Sequence, residues 1–216
     1  MSNAVNLFRE ILIPNMAAMV QANLQTSRLY LIPLSDDHLD YEVQLDSDPN
    51  VVKFIGNGRP RARAQVEQLH RGRMETAKQV PGLGFWAGFV RSDLTDPAVA
   101  GRAGEFVGWW ILEPSQCRDQ GGQAELGYRL MKRFWGRGLA KEGARELIRY
   151  GFQDLGLSKI FAETMSVNTA SRATMASVRM KYARTFHRKF EEVIPGSEEG
   201  EVEYAILSDE WFSAAE

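Results

Sequence analysis

The sequence predicts an α+β (mixed α/β) fold, in which a run of strands leads into a strand, turn, helix, strand, helix unit. Three observations carry this. Residues Gln123-Ala-Glu-Leu-Gly-Tyr-Arg-Leu-Met-Lys-Arg133-Phe-Trp-Gly136-Arg-Gly138-Leu-Ala140 begin as an alternating strand, pass through a turn punctuated by two glycines, and enter a helix. That helix spans 139–155, with Leu139, Ala140, Ala144, Leu147, Ile148, Phe152 and Leu155 recurring near every 3.6 residues until Gly156 ends it. An alternating strand over 159–166 follows, and Val167-Asn168-Thr-Ala-Ser171 reads as the start of another helix capped by Asn168. Crossovers of this kind are almost always right-handed and make their two strands parallel, which puts the glycine turn at the carboxyl end of the first strand.

The remaining elements follow in order. Residues 28–33 form a strand, 36–46 a helix, and 61–78 a second helix preceded by the turn Gly56-Asn57-Gly58-Arg59-Pro60. Residues 84–91 and 105–113 read as antiparallel strands joined by a long loop over 92–104, rich in Asp93, Asp96, Pro97 and Gly101. Strands over 180–188 and 201–207 close the chain. At 216 residues with 44% hydrophobic content and no repeat or internal linker, the chain is long enough for one domain with a substantial core, here 27–216. Residues 1–26 form an N-terminal extension, flexible or carrying a short amphipathic helix over 5–13 that Pro14 interrupts.

Composition excludes several classes. A formal net charge of −2 gives no electrostatic case for nucleic acid. With three histidines and one cysteine, neither a structural metal nor a disulfide framework is expected, and a free Cys117 suits a reducing, cytoplasmic compartment. No apolar run reaches the ~20 residues that span a bilayer, and the first 26 residues lack the basic and apolar regions of a secretory signal, so no membrane association is expected.

The glycine turn is a candidate anion cradle. Gly136 and Gly138 let backbone N–H groups approach a phosphate, the first turn from Leu139 adds unpaired donors and the positive end of a helix dipole, and Arg133 and Arg137 supply charge beside it. A dinucleotide fingerprint lacks its third glycine, since position 141 is Lys, and no Gly-Lys-Ser/Thr of a P-loop occurs. An ordinary strand-to-helix turn is the structural alternative.

From Glu125 to about His187 the chain resembles the core of the GNAT N-acetyltransferases, in the branch of the ribosomal-protein alanine acetyltransferases. The family's Gln/Arg-x-x-Gly-x-Gly/Ala stands as Arg133-Phe-Trp-Gly136-Arg-Gly138, and its Asn-x-x-Ser as Asn168-Thr-Ala-Ser171. Leu45-Asp-Ser-Asp-Pro49, Phe54-Ile-Gly and Glu203-Tyr-Ala-Ile before Trp211 extend the match over roughly residues 27 to 212. The resemblance implies a mixed sheet of about seven strands, splayed between those at 123 and 159, with the pantetheine arm of acetyl-CoA inserted as if it were another strand. It implies acetyl-CoA as acyl donor without a metal, held around Tyr128, Leu130, Met131, Arg133, Trp135, Gly136, Arg137, Gly138, Leu139, Ala140, Asn168 and Ser171. It also implies an acceptor groove near Asn57 and Arg59 and direct transfer in a ternary complex, in a monomer or homodimer. The acceptor is left open among a protein N-terminus, a small-molecule amine and lysine. One departure is Arg179, where relatives carry a glycine after the Asn-x-x-Ser helix; a left-handed conformation there costs on the order of 1 kcal/mol without glycine.

An amine must be neutral to attack a thioester. Deprotonation at pH 7 costs about 4.6 kcal/mol for a lysine and about 1 kcal/mol for an α-amine, so a weak or water-relayed base suffices only for the latter. Glu125, on the strand leading to the cradle, is the candidate base, with a solvated strand residue as its alternative reading and Glu163 and Glu203 as alternative carboxylates. Glu203 is equally a candidate to face the acceptor. Ser171 is the candidate donor to the departing sulfur, or else part of the capping arrangement with Asn168; Tyr182 lies too far along the chain for that task. Strand alternation sets Glu125, Gly127 and Arg129 on one face and Leu126, Tyr128 and Leu130 on the other. Phe85, Trp86, Trp109 and Trp110 read as sheet core, and Lys141, Arg145 and Arg149 as a solvated helix edge with Lys141 within reach of a phosphate. The functional alternative to an enzyme is a non-catalytic acyl-CoA-binding module that keeps the cradle.

Overall fold

One sheet of eight strands, in the order β1-β2-β3-β4-β5-β6-β8-β7, organises the computed structural model, which describes residues 20–91, 102–115, 122–188 and 194–213. The strands are β1 Leu24–Gln25, β2 Leu29–Pro33, β3 Gly84–Val90, β4 Phe106–Pro114, β5 Gln123–Leu130, β6 Lys159–Met165, β7 Lys181–Phe186 and β8 Glu201–Leu207. Every neighbouring pair is antiparallel except β5 and β6, as the crossover requires. The strand beyond the seven expected is β1, two residues long, which pairs with β2 and buries Leu24 in the core. It lies within the stretch read as an extension. The helix expected over 5–13 and most of the 92–104 loop fall outside the described residues, as does Cys117.

The parallel pair is brief. Only Gln123, Ala124 and Glu125 of β5 register with Lys159, Ile160 and Phe161 of β6, and beyond them the strands part. On one face of the sheet packs α4, Leu139–Arg149, burying Leu139, Gly143, Ala144, Leu147 and Ile148. Gly143 is required: a Cβ there would meet the Trp110 indole at 2.4 Å, and Trp110 Nε1 donates to the Ala140 carbonyl at 3.2 Å. The chain stays α-helical to Arg149 and then widens into a π turn over Tyr150–Asp154, which a 3.6-residue period does not foretell. Tyr150 there donates to the Gly82 carbonyl at 3.1 Å and packs edge-on against Trp86.

On the other face lie α1 Leu39–Asp46, the short α2 Pro49–Val52 and α3 Arg63–Gln79. The helix read over 36–46 opens with a 3-10 turn at Asp36–His38. Phe85, Trp86, Trp109 and Trp110 are all core, none more than 5% exposed. Asp46, fully buried, pairs with Arg129 of β5 and with Arg61 at 2.9 Å, so the end of α1 is fastened to the middle of the sheet. The helix α5, Thr169–Ser177, follows β6, and α6, Ser208–Ser213, ends the described chain.

Arg179 adopts φ +71, the left-handed conformation its place after α5 suggested. Its guanidinium donates to the Glu210 and Trp211 carbonyls and lies over the Trp211 ring, so a residue other than glycine is held there by contacts across to α6.

Candidate active site

The cradle begins where β5 stops. A 3-10 turn at Lys132–Phe134 leads to Gly136, φ +71, and Gly138, φ +76, which is the N-cap of α4. Both glycines occupy left-handed backbone that side chains rarely adopt, leaving the N–H groups of the first α4 turn unobstructed. Side chains brace the turn from below. Trp135 Nε1 donates to Leu130 O at 2.8 Å, Arg137 Nε to Arg133 O at 3.1 Å, and Arg133 Nε meets Glu105 at 3.2 Å. Arg133 is thus tied into the turn rather than offered only as a positive charge. Arg28 of the β1–β2 connection adds a brace that the sequence did not announce, bonding Arg137 O at 3.0 Å and Glu142 Oε2 at 2.7 Å. Thr26 and Ser27 also donate to Glu142, whose carboxyl is pushed up by burial but held below the ordinary range by those hydrogen bonds. The one acid in the first turn of α4 is therefore already neutralised.

Where β5 and β6 part, a cavity of about 310 Å³ opens between the strands and α5. Glu125, Tyr128, Asn168 and Ser171 line it, so the candidate base and the candidate donor meet in one space. Asn168 Oδ1 accepts from Ser171 N at 3.3 Å and its Nδ2 donates to Thr164 Oγ1 at 3.0 Å, so the expected cap is formed. That cap leaves the Ser171 hydroxyl for another partner, and Tyr128 OH lies 3.2 Å from it. Burial raises the Tyr128 pKa, which keeps its hydroxyl a neutral donor. Sequence reading treated Tyr128 as a cofactor contact and missed this link.

Glu125 is pushed up to about 7, first by burial and then by the Glu163 and Glu113 carboxylates, with Arg188 opposing. Glu113 sits directly across the β4–β5 ladder from it and is itself raised by burial. A second cavity of about 730 Å³, lined by Gln123, Phe161, Phe186 and Glu203 among others, meets the first; Glu125, Glu163 and Arg188 line both. Glu203 is raised by burial but held below the ordinary carboxylate range by Arg184, at 2.7 Å, and Lys159, at 3.2 Å. Glu163 is paired with Arg188.

Asn57 and Arg59 line neither cavity. Asn57 Oδ1 accepts from the Arg59 amide at 3.2 Å, closing the turn on itself, and it is Phe54, Ile55 and Gly56 that reach the smaller cavity. Tyr182 is exposed on the edge strand β7 and bonds Thr185. Trp109 is core, yet it also lines the smaller cavity, with its Nε1 buried and without a partner among the described residues and the Arg129 guanidinium 4.7 Å from its ring. Among the described residues no cluster of three or more His, Cys, Asp or Glu could hold a metal, and no helix is long and apolar enough to cross a membrane.

Comparison with known proteins finds the family model of the acetyltransferase (GNAT) domain matching residues 28–181. The FsC-acetyl coenzyme A-N(2)-transacetylase of Aspergillus fumigatus is 41% identical over 201 residues, covering 91% of this chain and 80% of that protein. Among solved structures, a spermidine N-acetyltransferase from Vibrio cholerae in complex with CoA and spermine superposes with a TM-score of 0.67 at 15% identity, over 86% of this chain and 99% of that one. The ribosomal L7/L12 alpha-N-protein acetyltransferase RimL, in complex with CoA, gives 0.67 at 15% identity, over 86% and 97%. At that identity the two structures speak for the fold alone.

Proposed function

We propose, from the premise that this chain belongs to the GNAT acetyltransferase family and is an N-acetyltransferase, that it moves the acetyl group of acetyl-CoA directly to a primary amine in a ternary complex. The observation that carries the reading is Glu125, a carboxylate lining both cavities and titrating at about 7. At neutral pH about half of it is ionised and able to take a proton from an incoming ammonium, directly or through one water. The neutral amine then attacks the thioester carbonyl, forming the C–N bond as the C–S bond breaks. Ser171, with Tyr128 behind it, donates a hydrogen bond to the departing sulfur, which near a thiol pKa of ~8.5 needs no full protonation. The pyrophosphate of the donor belongs at Gly136, Gly138 and the first turn of α4.

The test is the pH dependence of CoA release. Glu125→Gln should lower kcat/KM by about 10²-fold at pH 7, the lower scale of general-base catalysis, and the loss should shrink as pH rises and more amine arrives neutral. Ser171→Ala should keep its defect across that range, since the sulfur needs its donor however the amine was deprotonated. A Glu125→Gln enzyme within about threefold of wild type at pH 7 would remove the base assignment.

A further inference from the structure

We propose that Arg188 reads an acyl oxygen beside the reacting amine, making this an acetyltransferase for α-amino-acyl compounds rather than for polyamines or plain alkylamines. The inference rests on the reading above, in which the smaller cavity takes the thioester and Glu125 receives the amine. The larger cavity is then the space left for the rest of the acceptor, and Arg188 stands with Glu163 and Glu125 where the two spaces meet.

The charges of that space favour oxygen over nitrogen. A groove built for a second ammonium needs a carboxylate with charge to spare. Here Glu163 is paired with Arg188, and Glu203 with both Lys159 and Arg184. A further positive group gains little from acids already neutralised. A carbonyl oxygen instead meets a guanidinium, which carries five N–H donors in a fixed fork. The Arg188 guanidinium is oriented twice, by the Glu163 carboxylate and by the Phe186 ring 5.2 Å away.

An independent observation points to an amide. Gln123 lines the larger cavity, and its Oε1, turned inward and buried, has no hydrogen-bond partner among the described residues, so a small rotation of the side chain would present it to a ligand. An orphaned acceptor of this kind is unfavourable until a donor reaches it. Gln123 lies on the same face of β5 as Glu125, two residues away, a spacing of about 6.7 Å. Two extended residues of peptide span about 7 Å. An acceptor with its amine at Glu125 and its first carbonyl at Arg188 would therefore bring its second amide N–H to Gln123.

The experiment compares four acceptors at pH 8: alanyl-alanine amide, alanine amide, propylamine and putrescine, following CoA release. Counted per neutral amine, which removes the advantage that an α-amine of pKa ~7.8 holds at pH 8 over an alkylamine near ~10.4, wild type should favour the two amides in kcat/KM by about 10- to 100-fold, the scale of a hydrogen bond to a charged group. Arg188→Met should erase that preference by lowering the amide rates and leaving propylamine within about threefold, with Arg188→Lys restoring part of it. Gln123→Leu should reduce the dipeptide amide alone. Any effect of Arg188 on the Glu125 charge touches all four amines alike and cancels in the ratio. Glu125→Gln, run beside them, should slow propylamine and putrescine more than the amides, whose α-amines arrive largely neutral at pH 8, so loss of the base assignment would show there and not in the Arg188→Met comparison. An acetyl-CoA-induced rise in Tm retained by Arg188→Met confirms that the variant is folded and cofactor-competent. A wild type that prefers putrescine, or an Arg188→Met that slows amides and propylamine by the same factor, would overturn the proposal.

Discussion

Replacing Glu125 by Gln should stabilise the protein, by an amount that grows with pH. Burial and neighbouring carboxylates move the Glu125 pKa from an ordinary 4.5 to about 7 in the folded protein. The folded state therefore holds this proton more tightly than the unfolded chain, and stability from this group falls as pH rises between those values. Below pH 4.5 both states are protonated and nothing is lost; above pH 7 the whole penalty is present. A separation of about 2.5 pH units, at ~1.4 kcal/mol each, gives ~3 kcal/mol. Gln has no charge to desolvate. Linkage gives the variant an advantage of ~1 kcal/mol at pH 5, ~2 kcal/mol at pH 6 and ~3 kcal/mol from pH 7 upward. Water entering the cavity lowers the plateau without changing its sign.

The assay is urea unfolding of both proteins at pH 5, 6, 7 and 8, read as the difference in extrapolated stability at each pH. Groups that titrate identically in both proteins drop out of that difference. Glu113, itself raised by burial, does not drop out fully, because it loses a like-charged neighbour, and its response adds to the same trend. A difference that stays flat from pH 5 to 8, or that favours wild type at pH 8, would refute the claim that Glu125 is an uncompensated buried carboxyl. Lost activity together with gained stability is the signature expected of a group strained for function.

Acetyl-CoA should raise the wild-type Tm by mass action, and Gly138→Val should abolish the rise, because residue 138 sits at φ +76 where a branched side chain is strained and obstructs the cradle; an unchanged shift in a folded variant would remove the cradle assignment. Arg179→Ala should destabilise more than Arg179→Gly, by about 1 kcal/mol in urea unfolding, since both lose the contacts to Glu210 and Trp211 and only glycine relaxes at φ +71. Equal losses would show that the backbone there is unstrained. Asp46→Asn should cost about 3 kcal/mol or more, the scale of breaking a buried ion pair, by leaving the Arg129 charge buried beside Trp109. A loss under ~1 kcal/mol would show that Arg129 carries little uncompensated charge.

The crossover and its glycine turn were legible because their signals are local: glycine at two backbone positions, a helical period, an Asx cap. Seven of the eight strands were placed within a few residues for the same reason, while β1, α2 and α6 are too short for a period to develop. The π turn after Arg149 follows from what Tyr150 meets on β3 and at Gly82, which no window of sequence contains. Glu125 and Ser171 were singled out as candidates from their place relative to the glycine turn, and both line the smaller cavity. Arg188 with Glu163 and Arg129 with Asp46 were not, because their partners stand 25 and 83 residues apart and only the folded topology joins them. Glu113 escaped notice because its effect on Glu125 depends on the β4–β5 register, not on any spacing in the chain. Asn57 and Arg59 line neither of the two cavities, and an Asx turn reads the same in sequence whether its side chain faces a ligand or, as Asn57 does, accepts from the backbone amide two residues on.

What distinguishes Glu125, the proposed base, from Glu163 and Glu203 is that among the described residues no cation is pressed against it. Glu163 and Glu203 each have one or more within ion-pair distance, whereas Glu125 feels Arg188 only as a lesser influence against its own burial. The consequence can be sized. Moving a proton from an α-ammonium of pKa ~7.8 to a carboxylate at the ordinary Glu value of ~4.3 is uphill by about 5 kcal/mol, and a salt-bridged acceptor is poorer still. Moving it to a carboxylate at about 7 is uphill by only about 1 kcal/mol. From a lysine ammonium, pKa ~10.4, the same acceptor still faces about 4.6 kcal/mol. Asp46 contributes at a distance, since by holding Arg129 in a buried pair it keeps the one cation on the Glu125 face of β5 turned toward α1. On the proposed mechanism, Glu125 is thus a proton acceptor matched to an α-amine, and that amine class is the one whose adjacent carbonyl Arg188 is proposed to meet.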